Sequence, residues 1–501
     1  MARYSSILNE SLIESREYQD RISRNAVEKN TLVVIPTALG KTIIAIISIS
    51  MIIEKGGKAL FLAPTRPLVH QHANSLRKFL NIPGEEIVEV TGQIDKEERM
   101  GLYTRGRVIV STPQVVSNDE EFISSLKDEI KVVVFDEAHR AIGDYSYVKI
   151  AHLLSSSRII ATTASPGGER EKIEQIIRNL NIENLEIRDE NSPDVIPYIQ
   201  KIEVKQIMLP VPDENKKIIE ELRNLLEEIV KKLESFSLKI QGRSRRELIG
   251  LGETISHQIR SGNKYFYTAA RLRTDAILVD YLLEFAETQG ILPFLEYLEE
   301  IKKDNPRSKK IFSDSRIISI EARAVALSSK PLEEHTPKFS KIIEILKEQN
   351  YQKAIVFCHY RITANILSEI LSREGFSCER FIGQSSRNEK KGMSQREQAA
   401  ILDMFRQGKI RIIVATQIGE EGLDVPSADT VIFHEPVASE VRSIQRRGRT
   451  GRFGKGRVFI LTMENSRDIS YYFASGRKER KMKDILKEGR GNVQTTFDRF
   501  G

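Results

Sequence analysis

Val-Ile-Pro-Thr-Ala-Leu-Gly-Lys-Thr, residues 34–42, is the stretch that decides the fold. It follows a short apolar run and precedes a longer one, and this pattern favours a strand, a turn and then a helix. Such a turn directs backbone N–H groups and one lysine toward the phosphates of a nucleotide. We expect Thr37, Gly40 and Lys41 to bind the nucleotide, with Lys41 against the β- and γ-phosphates. The hydroxyl of Thr42 is expected to bind Mg²⁺.

This turn departs from the general phosphate-binding pattern at two positions. Ile35 stands where the first glycine would be, and Ala38 occupies a place where glycine is more usual. Because alanine tolerates a positive φ poorly, we expect a somewhat different loop path. The alternative reading is a Gly-Lys-Thr that falls in a turn by chance.

A second motif, Lys-Val-Val-Val-Phe-Asp-Glu-Ala-His at residues 131–139, ends an apolar run with two acids. Acids at the end of a buried strand are costly unless they meet a cation. We therefore expect Asp136 to coordinate Mg²⁺ and Glu137 to orient and deprotonate an attacking water. The alternative is an ordinary strand-to-loop turn.

Far downstream, Gln-Arg-Arg-Gly-Arg-Thr-Gly-Arg at residues 445–452 supplies positive charge. A planar guanidinium suits phosphate oxygens, and Arg449 and Arg452 are spaced so that both face the same way from a helical turn. With Gln445, they are expected to complete a catalytic site across a cleft between two domains. The alternative is a solvated face or a polyanion-binding patch.

Two parts of the chain alternate short apolar runs with helical patterns. Continuous apolar runs suit strands that are buried on both faces of a parallel sheet. Between these parts, apolar residues recur at helical spacing, and no strand–helix–strand unit precedes Pro331. The sequence predicts an α/β fold: two parallel-sheet domains with a helical insertion between them. The expected strands are Leu32–Ile35, Ala59–Leu62, Val108–Val110, Val132–Phe135, Ile159–Ala161, Ala354–Phe357, Ile412–Ala415, Val431–Phe433 and Val458–Leu461.

The composition bounds the class of protein. A chain of 501 residues is too long for one core, and about three domains are expected. The net charge of +7 favours an anionic partner only weakly. Two isolated cysteines, Cys358 and Cys378, make neither a zinc site nor a disulfide scaffold. The N-terminus lacks a signal pattern, and the longest apolar stretch is too short to span a bilayer, so we expect an intracellular protein without membrane contact.

The insertion is rich in basic residues. One interpretation is a solvated helix face. Because the insertion lies between two nucleotide-binding halves, a polyanion-binding surface is favoured. The residues concerned are Lys239, Arg243, Arg245, Arg246, Arg260, Lys264, Arg271 and Arg273.

On these motifs the chain resembles superfamily 2 helicases of the DExH type. The resemblance covers both α/β parts in the family's order, and it implies ATP and Mg²⁺ as cofactors of two RecA-like domains. Ser-Arg-Glu-Tyr-Gln at residues 15–19 resembles the adenine-recognition motif. This likeness implies that Gln19 reads the base, with support from Arg16 and Tyr18.

Further loops resemble the family's nucleic-acid contacts. Thr-Ala-Ser at residues 163–165 resembles the motif that links hydrolysis to movement, which implies coupling roles for Thr163 and Ser165. Another motif, at residues 415–426, implies that Gly422 and Asp424 lie near the nucleotide. The implied nucleic-acid residues are Thr65, Arg66, Thr91, Gly92, Thr112, His359 and Thr416.

A narrower resemblance is to the archaeal Hef and Fanconi-anaemia group M branch. It rests on Asp-Glu-Ala-His-Arg-Ala at residues 136–141, Gly-Gln-Ser-Ser-Arg at 383–387 and Lys-Gly-Met-Ser-Gln-Arg-Glu-Gln at 391–398. It implies an ATP-dependent DNA helicase or translocase on forks and junctions, with 3′-to-5′ travel, in DNA repair or fork processing. Forked or branched DNA, and repair or replication proteins, are the implied partners in a prokaryotic cytoplasm.

With this resemblance the chain divides into four segments. Residues 1–204 are expected to form the first RecA-like domain, with the phosphate-binding loop and the DEAH box. Residues 205–330 are the helical insertion, expected to bind DNA. Residues 331–480 form the second RecA-like domain, with the arginine fingers, and 481–501 a basic C-terminal tail.

Two alternatives remain open. RIG-I and Dicer helicases share this architecture, so an ATPase stimulated by double-stranded RNA is one of them. The other is a scaffold that clamps DNA junctions and recruits partners without unwinding. The residues do not separate strand separation from translocation.

Overall fold

The chain folds into two sheets and a helical insertion, which confirms the predicted architecture. The structure, a computed structural model, describes residues 4–36, 39–189, 191–198, 202–238, 240, 244–304, 309–383, 392–416, 428–436, 456–488 and 491–492.

The first sheet carries the phosphate-binding loop. Its strands are β1 (Thr31–Val34), β2 (Lys58–Leu62), β3 (Ile87–Val90), β4 (Val108–Ser111), β5 (Ile130–Asp136), β6 (Arg158–Thr163) and β7 (Asn184–Ile187). Their order is β7-β1-β6-β5-β2-β4-β3, and neighbouring strands are parallel. In a parallel sheet the carboxyl ends of all strands meet at one edge, and this edge collects the loops that carry the motifs.

Helices cover both faces of this sheet. Along β2, Leu60 and Leu62 enter one apolar core, whereas Ala59 and Phe61 enter the other, as a strand between two layers requires. The helices are α1 (Glu17–Glu28), α2 (Lys41–Ile53), α3 (Arg66–Phe79), α4 (Lys96–Arg105), α5 (Pro113–Asn118), α6 (Glu120–Ser125), α7 (Ser146–Leu153) and α8 (Arg170–Asn179).

The second sheet begins earlier in the chain than expected. Its strands are β8 (Ile202–Leu209), β9 (Ala354–Phe357), β10 (Cys378–Phe381), β11 (Ile412–Ala415), β12 (Thr430–Phe433) and β13 (Gly456–Met463). Their order is β10-β11-β9-β12-β13-β8. β8 pairs in parallel with β13 over its whole length, so the boundary placed at 204 falls inside a strand of the second sheet. Three further helices complete this domain: α15 (Pro337–Glu348), α16 (Arg361–Arg373) and α17 (Gln395–Arg406). Helices α9 to α14 precede them in the chain and belong to the insertion.

All nine expected strands are present, but five others were not predicted: β3, β7, β8, β10 and a two-residue strand at Gly491–Asn492. β3, β8 and β10 lie at sheet ends. An end strand is less completely enclosed and accepts polar residues, as the exposed centre of β10 and most of β8 show. A search for continuous apolar runs therefore finds central strands and misses strands of this kind.

The described residues of the insertion form a bundle of six helices: α9 (Asp213–Glu234), α10 (Arg245–Arg260), α11 (Phe266–Thr288), α12 (Ile291–Asp304), α13 (Lys309–Phe312) and α14 (Ser315–Ser328). Its apolar core continues into the second domain through Met463, Tyr360 and Ile362. The insertion is therefore packed onto the second sheet rather than tethered to it. Among the described residues, no helix has the length and apolarity that a bilayer crossing needs.

Three buried acids and three arginines, of which Arg223 is exposed, also join the insertion to the second domain. We call this group the ionic cluster: Arg223, Arg245, Asp280, Glu284, Glu287 and Arg467. Arg467 Nη2 lies 2.6 Å from Asp280 Oδ1, and Arg223 Nη2 lies 2.9 Å from Glu287 Oε1. Tyr360 donates a 2.8 Å hydrogen bond to Glu284 from the second domain.

The last long helix, α18 (Arg467–Glu488), corrects the expectation of a basic tail from residue 481. It starts in the ionic cluster and ends against the first sheet, where Met482 and Ile485 are buried in the apolar core. The two-residue strand β14 (Gly491–Asn492) then pairs antiparallel with β7. One helix thus spans from the insertion to the first domain.

Candidate nucleotide and nucleic-acid site

The phosphate-binding turn leads directly into α2. Gly40 is the N-terminal cap of α2 with φ 79°, a left-handed conformation that favours glycine, and a Cβ there would overlap the amide of Gln19. Lys41 is the first helical residue, and its Nζ donates to the carbonyl of Ile35 at 3.3 Å. The helix N-terminus therefore stands where phosphates would bind. Thr37 lies outside the described residues, so its role stays a prediction.

Helix α1 is tied to this turn. The hydroxyl of Tyr18 donates to the Leu39 carbonyl at 2.7 Å, and Gln19 Nε2 donates to the same oxygen at 3.1 Å. The guanidinium of Arg16 lies 4.9 Å from the centre of the Tyr198 ring. The structure brings Gln19 and the loop together, while recognition of a base by Gln19 stays a prediction.

Asp136 ends β5 and is held by two side chains. His72 Nε2 lies 2.9 Å from Oδ2, and Thr162 Oγ1 donates to Oδ1 at 2.8 Å. Burial opposes the charged carboxylate, but the bonds from His72 and Thr162 and the charge of Lys41 outweigh it, so the pKa of Asp136 is lowered. Asp136 is thus a fixed anion at the strand end.

Glu137 is placed differently. It has φ 52°, which is uncommon for a residue other than glycine. Its Oε2 is buried and has no hydrogen-bond partner among the described residues. His139 Nδ1 lies 3.3 Å away, but that nitrogen makes its hydrogen bond with Thr163 Oγ1. An unpartnered carboxylate oxygen beside an ordered anion suits a group that binds water.

The donor set fits Mg²⁺, which prefers oxygen ligands and keeps several waters. Asp136 and the hydroxyl of Thr42 would hold the ion. The Glu137 oxygen that has no hydrogen-bond partner among the described residues would face the waters around the ion. Bound there, Mg²⁺ neutralises phosphate charge.

The implied nucleic-acid residues lie at the other half of the same sheet edge. Thr65, Thr91 and Thr112 follow β2, β3 and β4, which are neighbours in the order β2-β4-β3. A guanidinium nitrogen of Arg66 would lie 3.8 Å from a Cβ built on Gly92, so these two loops meet. By contrast, the residues expected to bind the nucleotide and Mg²⁺ lie at the ends of β1 and β5, and the expected coupling residues lie at the end of β6. The sheet edge is divided into a nucleotide half and a second half lined by hydroxyls, which suits backbone phosphates.

On the second sheet, His359 and Thr416 follow the adjacent strands β9 and β11. His359 is exposed, and its backbone N–H donates to Glu435. Thr416 is 5% exposed, and its N–H donates to the carbonyl of Phe381 at 3.0 Å. The remaining expected residues of this domain lie outside the described residues, and their roles stay predictions: Gly422, Asp424, Gln445, Arg449 and Arg452.

The coupling loop contacts the C-terminal helix. Thr163 Oγ1 donates to the Ser165 carbonyl at 3.0 Å, and Ser165 Oγ lies 2.8 Å from Met482 Sδ. Further along this loop, the backbone of Gly168 lies close to the same helix: a Cβ built on Gly168 would lie 2.8 Å from the Lys478 carbonyl oxygen. A physical link therefore joins the expected coupling residues to a helix that also enters the ionic cluster.

The sequence analysis did not identify two of these partners, His72 of Asp136 and Met482 of Ser165. His72 lies on the buried face of α3 with Val69, Ala73 and Leu76, and a histidine on an apolar helix face was the available signal. Met482 and Ile485 are spaced to share a face of a basic helix, a pattern too short to stand out.

The basic surface expected on the insertion is smaller than the sequence suggests. Arg245 belongs to the ionic cluster, and Arg273 donates to the carbonyls of Leu248 and Ile249 on α10. Lys239 and Arg243 lie outside the described residues. The exposed basic residues are Arg246, Arg260, Lys264 and Arg271.

Comparison with known proteins agrees with this geometry. A model of the DEAD/DEAH box helicase matches residues 16–173, and one of the helicase conserved C-terminal domain matches 337–454. A helical-bundle model of ATP-dependent RNA helicases matches 214–334. The fold and these domains are those of superfamily 2 helicases.

Similarity to individual proteins identifies the branch of this family. The crystal structure of the Pyrococcus furiosus Hef helicase domain is 38% identical, with a TM-score of 0.70 over 94% of this chain and 100% of that one. Over 96% of this chain, the DEAD-box ATP-dependent RNA helicase FANCM of Arabidopsis thaliana is 34% identical and the ATP-dependent DNA helicase fml1 of Schizosaccharomyces pombe is 30% identical. The chain belongs to the Hef and Fanconi-anaemia group M branch of these helicases. It spans 37% and 60% of the two relatives' lengths.

Proposed function

We propose that this chain is an ATP-dependent DNA helicase or translocase that acts on branched DNA, at forks and junctions, in repair or fork processing. The divided sheet edge supports the proposal: the expected nucleotide residues lie at the ends of β1 and β5, the expected coupling residues at the end of β6, and hydroxyl-lined loops follow β2, β3 and β4. A change at the nucleotide then reaches the nucleic-acid half through one rigid sheet. Its partners would be branched DNA and, inside the cell, repair or replication proteins.

In this proposal Lys41 neutralises the β- and γ-phosphates, and Glu137 takes a proton from the attacking water. Arg449 and Arg452 would stabilise the transition state from the second domain, with Gln445 beside them. Closing and reopening of the cleft would move one strand along both sheets. Gln19 and Arg16 would hold the base, and Thr163 and Ser165 would link hydrolysis to movement.

The choice of DNA over RNA follows the relatives only in part, because fml1 is named a DNA helicase and the Arabidopsis FANCM an RNA helicase. The discriminating experiment measures the ATPase rate with single-stranded, duplex, forked and four-way DNA and with duplex RNA. Stimulation by forked or four-way DNA above all others is the expected result. Strongest stimulation by duplex RNA would contradict the proposal. The slope of affinity against salt counts phosphate contacts.

Lys41→Ala tests the nucleotide site. Turnover should fall to background while the fold survives, because the phosphate charge loses its main counter-charge. ATP hydrolysis at the wild-type rate would refute the assignment. Strand displacement measured on the same DNA separates a helicase from a junction-clamping scaffold, which would hydrolyse ATP without displacing a strand.

A further inference from the structure

An exposed aromatic pair stands at the free end of the insertion. Helices α10 and α11 form an antiparallel hairpin, since Arg245 meets Asp280 and Arg273 reaches Leu248. Residues 260–267 form the end of this hairpin, which we call the hairpin tip. Within it, Tyr265 is 80% exposed and Tyr267 is 63% exposed. Large side chains that stay this exposed need a reason, because burying them would be favourable.

The tip is held in one conformation. Between the two tyrosines, Phe266 packs edge-on against Phe236 with ring centres 5.9 Å apart, which anchors the turn to the insertion core. Asn263 Oδ1 accepts a hydrogen bond from the Tyr265 N–H at 3.2 Å, and Gly262 supplies a φ of 93°. The rings of Tyr265 and Tyr267 are therefore presented outward by an ordered turn.

The hairpin tip carries a net positive charge, although two carboxylates flank it: Glu253 lies near Arg260, and Asp275 interacts with Arg271. From residue 254 to 274 the chain contains no aspartate or glutamate, and Arg260, Lys264 and Arg271 are exposed there. Arg273 is engaged with backbone carbonyls of α10 and is not part of this surface. Residues 260–267 themselves contain no carboxylate, and such a net positive tip favours a polyanion as its partner.

The tip also stands well away from the sheets. The ionic cluster fixes α11 at Asp280 to the second domain, and the 14 residues from Phe266 to Asp280 span about 20 Å of helix.

We propose that the hairpin tip binds unpaired bases by stacking on Tyr265 and Tyr267, with Arg260 and Lys264 on the adjoining phosphates. Aromatic faces stack on unpaired bases, whereas the bases of a duplex are already stacked on one another. The occupant is therefore the single-stranded arm of a branched nucleic acid rather than its duplex. This inference rests on the proposed function and names the element that selects the branch.

The test measures the Kd, by fluorescence anisotropy, for a forked DNA with one single-stranded arm and for a blunt duplex of equal length. Replacing Tyr265 and Tyr267 together by alanine should weaken fork binding by about 10- to 100-fold and duplex binding by less than about 2-fold. Replacing both by phenylalanine keeps the rings and should restore fork affinity to within about 2-fold. Phe473→Ala, which removes a 52% exposed aromatic outside the tip, is the matched control and should change neither Kd.

Thermal unfolding of each variant verifies that the fold is retained. Unchanged fork affinity in the folded alanine variant would overturn the tip proposal alone, and would leave a protein partner or a lipid surface as the occupant of this face. Equal losses for fork and duplex, or no rescue by phenylalanine, would also overturn stacking. If the wild-type chain bound no DNA at all, the proposed function would fail together with the tip proposal.

Arg260→Gln and Lys264→Gln examine the charged part of the surface. Each should reduce the salt dependence of fork binding by about one phosphate contact. An unchanged slope in both variants would contradict phosphate contacts at the tip.

Discussion

The acids of the ionic cluster and the two acids at the end of β5 differ in whether every carboxylate oxygen has a partner. In the ionic cluster, every carboxylate oxygen of Asp280, Glu284 and Glu287 has a partner on an arginine or on Tyr360. At the end of β5, Asp136 is also held on both oxygens, but Glu137 keeps one buried oxygen without a hydrogen bond among the described residues.

This difference distinguishes a structural ion-pair network from a site with an oxygen available for chemistry. A buried carboxylate by itself marks neither, because ion-pair networks perturb acids as strongly as active sites do. Burial even raises the pKa of Glu287, with Arg223 acting against that rise. What distinguishes the end of β5 from the ionic cluster is the combination of the orphaned oxygen and the left-handed backbone of Glu137, which the fold maintains at a cost.

The largest effect expected from this comparison concerns Glu137. Glu137→Gln keeps the size of the side chain but removes its ability to accept a proton, so kcat for ATP hydrolysis should fall by about 10²- to 10⁴-fold. Binding of a fluorescent ATP analogue should stay within about 3-fold of wild type. Turnover close to wild type would show that Glu137 is not the base.

Asp280→Asn addresses the cluster. It leaves Arg245 and Arg467 buried with one carboxylate fewer, which should cost about 3–5 kcal/mol in the free energy that holds α11 folded. Hydrogen exchange of α11 amides measures this loss locally, which suits a protein of several domains. Asp213→Asn, whose partner Lys216 is exposed, is the control and should leave the protection of the α11 amides unchanged. If the α11 amides were equally protected in both variants, the ionic cluster would not contribute to the stability of the insertion.

His72→Leu tests whether a neighbour positions Asp136. The substitution removes the donor at 2.9 Å without adding bulk, and should weaken the Mg²⁺ dependence of nucleotide binding by about 10- to 100-fold. Binding of metal-free ATP should change little, because Lys41 is intact. His70→Leu, at an exposed histidine two residues away, is the matched control. A uniform loss with and without Mg²⁺ would indicate a packing defect instead.

The smallest expected effect is a pH dependence at the base of the insertion. His335 is buried, with its nitrogens 2.9 Å from Thr336 Oγ1 and 3.0 Å from the Lys330 carbonyl, and burial lowers its pKa. A lowered pKa means that the unfolded chain binds the proton more tightly. Stability is thus fully present above about pH 6.5 and declines as the pH falls below that value.

His335→Gln should flatten this decline relative to wild type, by about 1 kcal/mol between pH 7 and 5. The measurement is the urea midpoint at each pH. Parallel curves for the two proteins would assign the acid sensitivity to other groups.

The sequence predicted the central strands and the order of the strand-end motifs, because both are local patterns. Ala354–Phe357 and Ile412–Ala415 agree with the structure to the residue. It did not predict β8, whose mostly exposed residues show no apolar run, nor the burial of Met482. Arg245 was counted as free positive charge, since a sequence does not show which carboxylates will face an arginine. The arginine-finger assignment stays a prediction.

The sequence by itself determined the class of enzyme, because Lys41, Asp136 and Glu137 follow apolar runs whose carboxyl ends must meet at one edge of a parallel sheet. Only the tertiary structure decided that His72 holds Asp136, that α18 joins the insertion to the first domain, and which basic residues of the insertion remain exposed. Those facts depend on contacts between residues far apart in the chain, such as Ser165 with Met482 and Arg467 with Asp280. Local periodicity carries no information about such contacts.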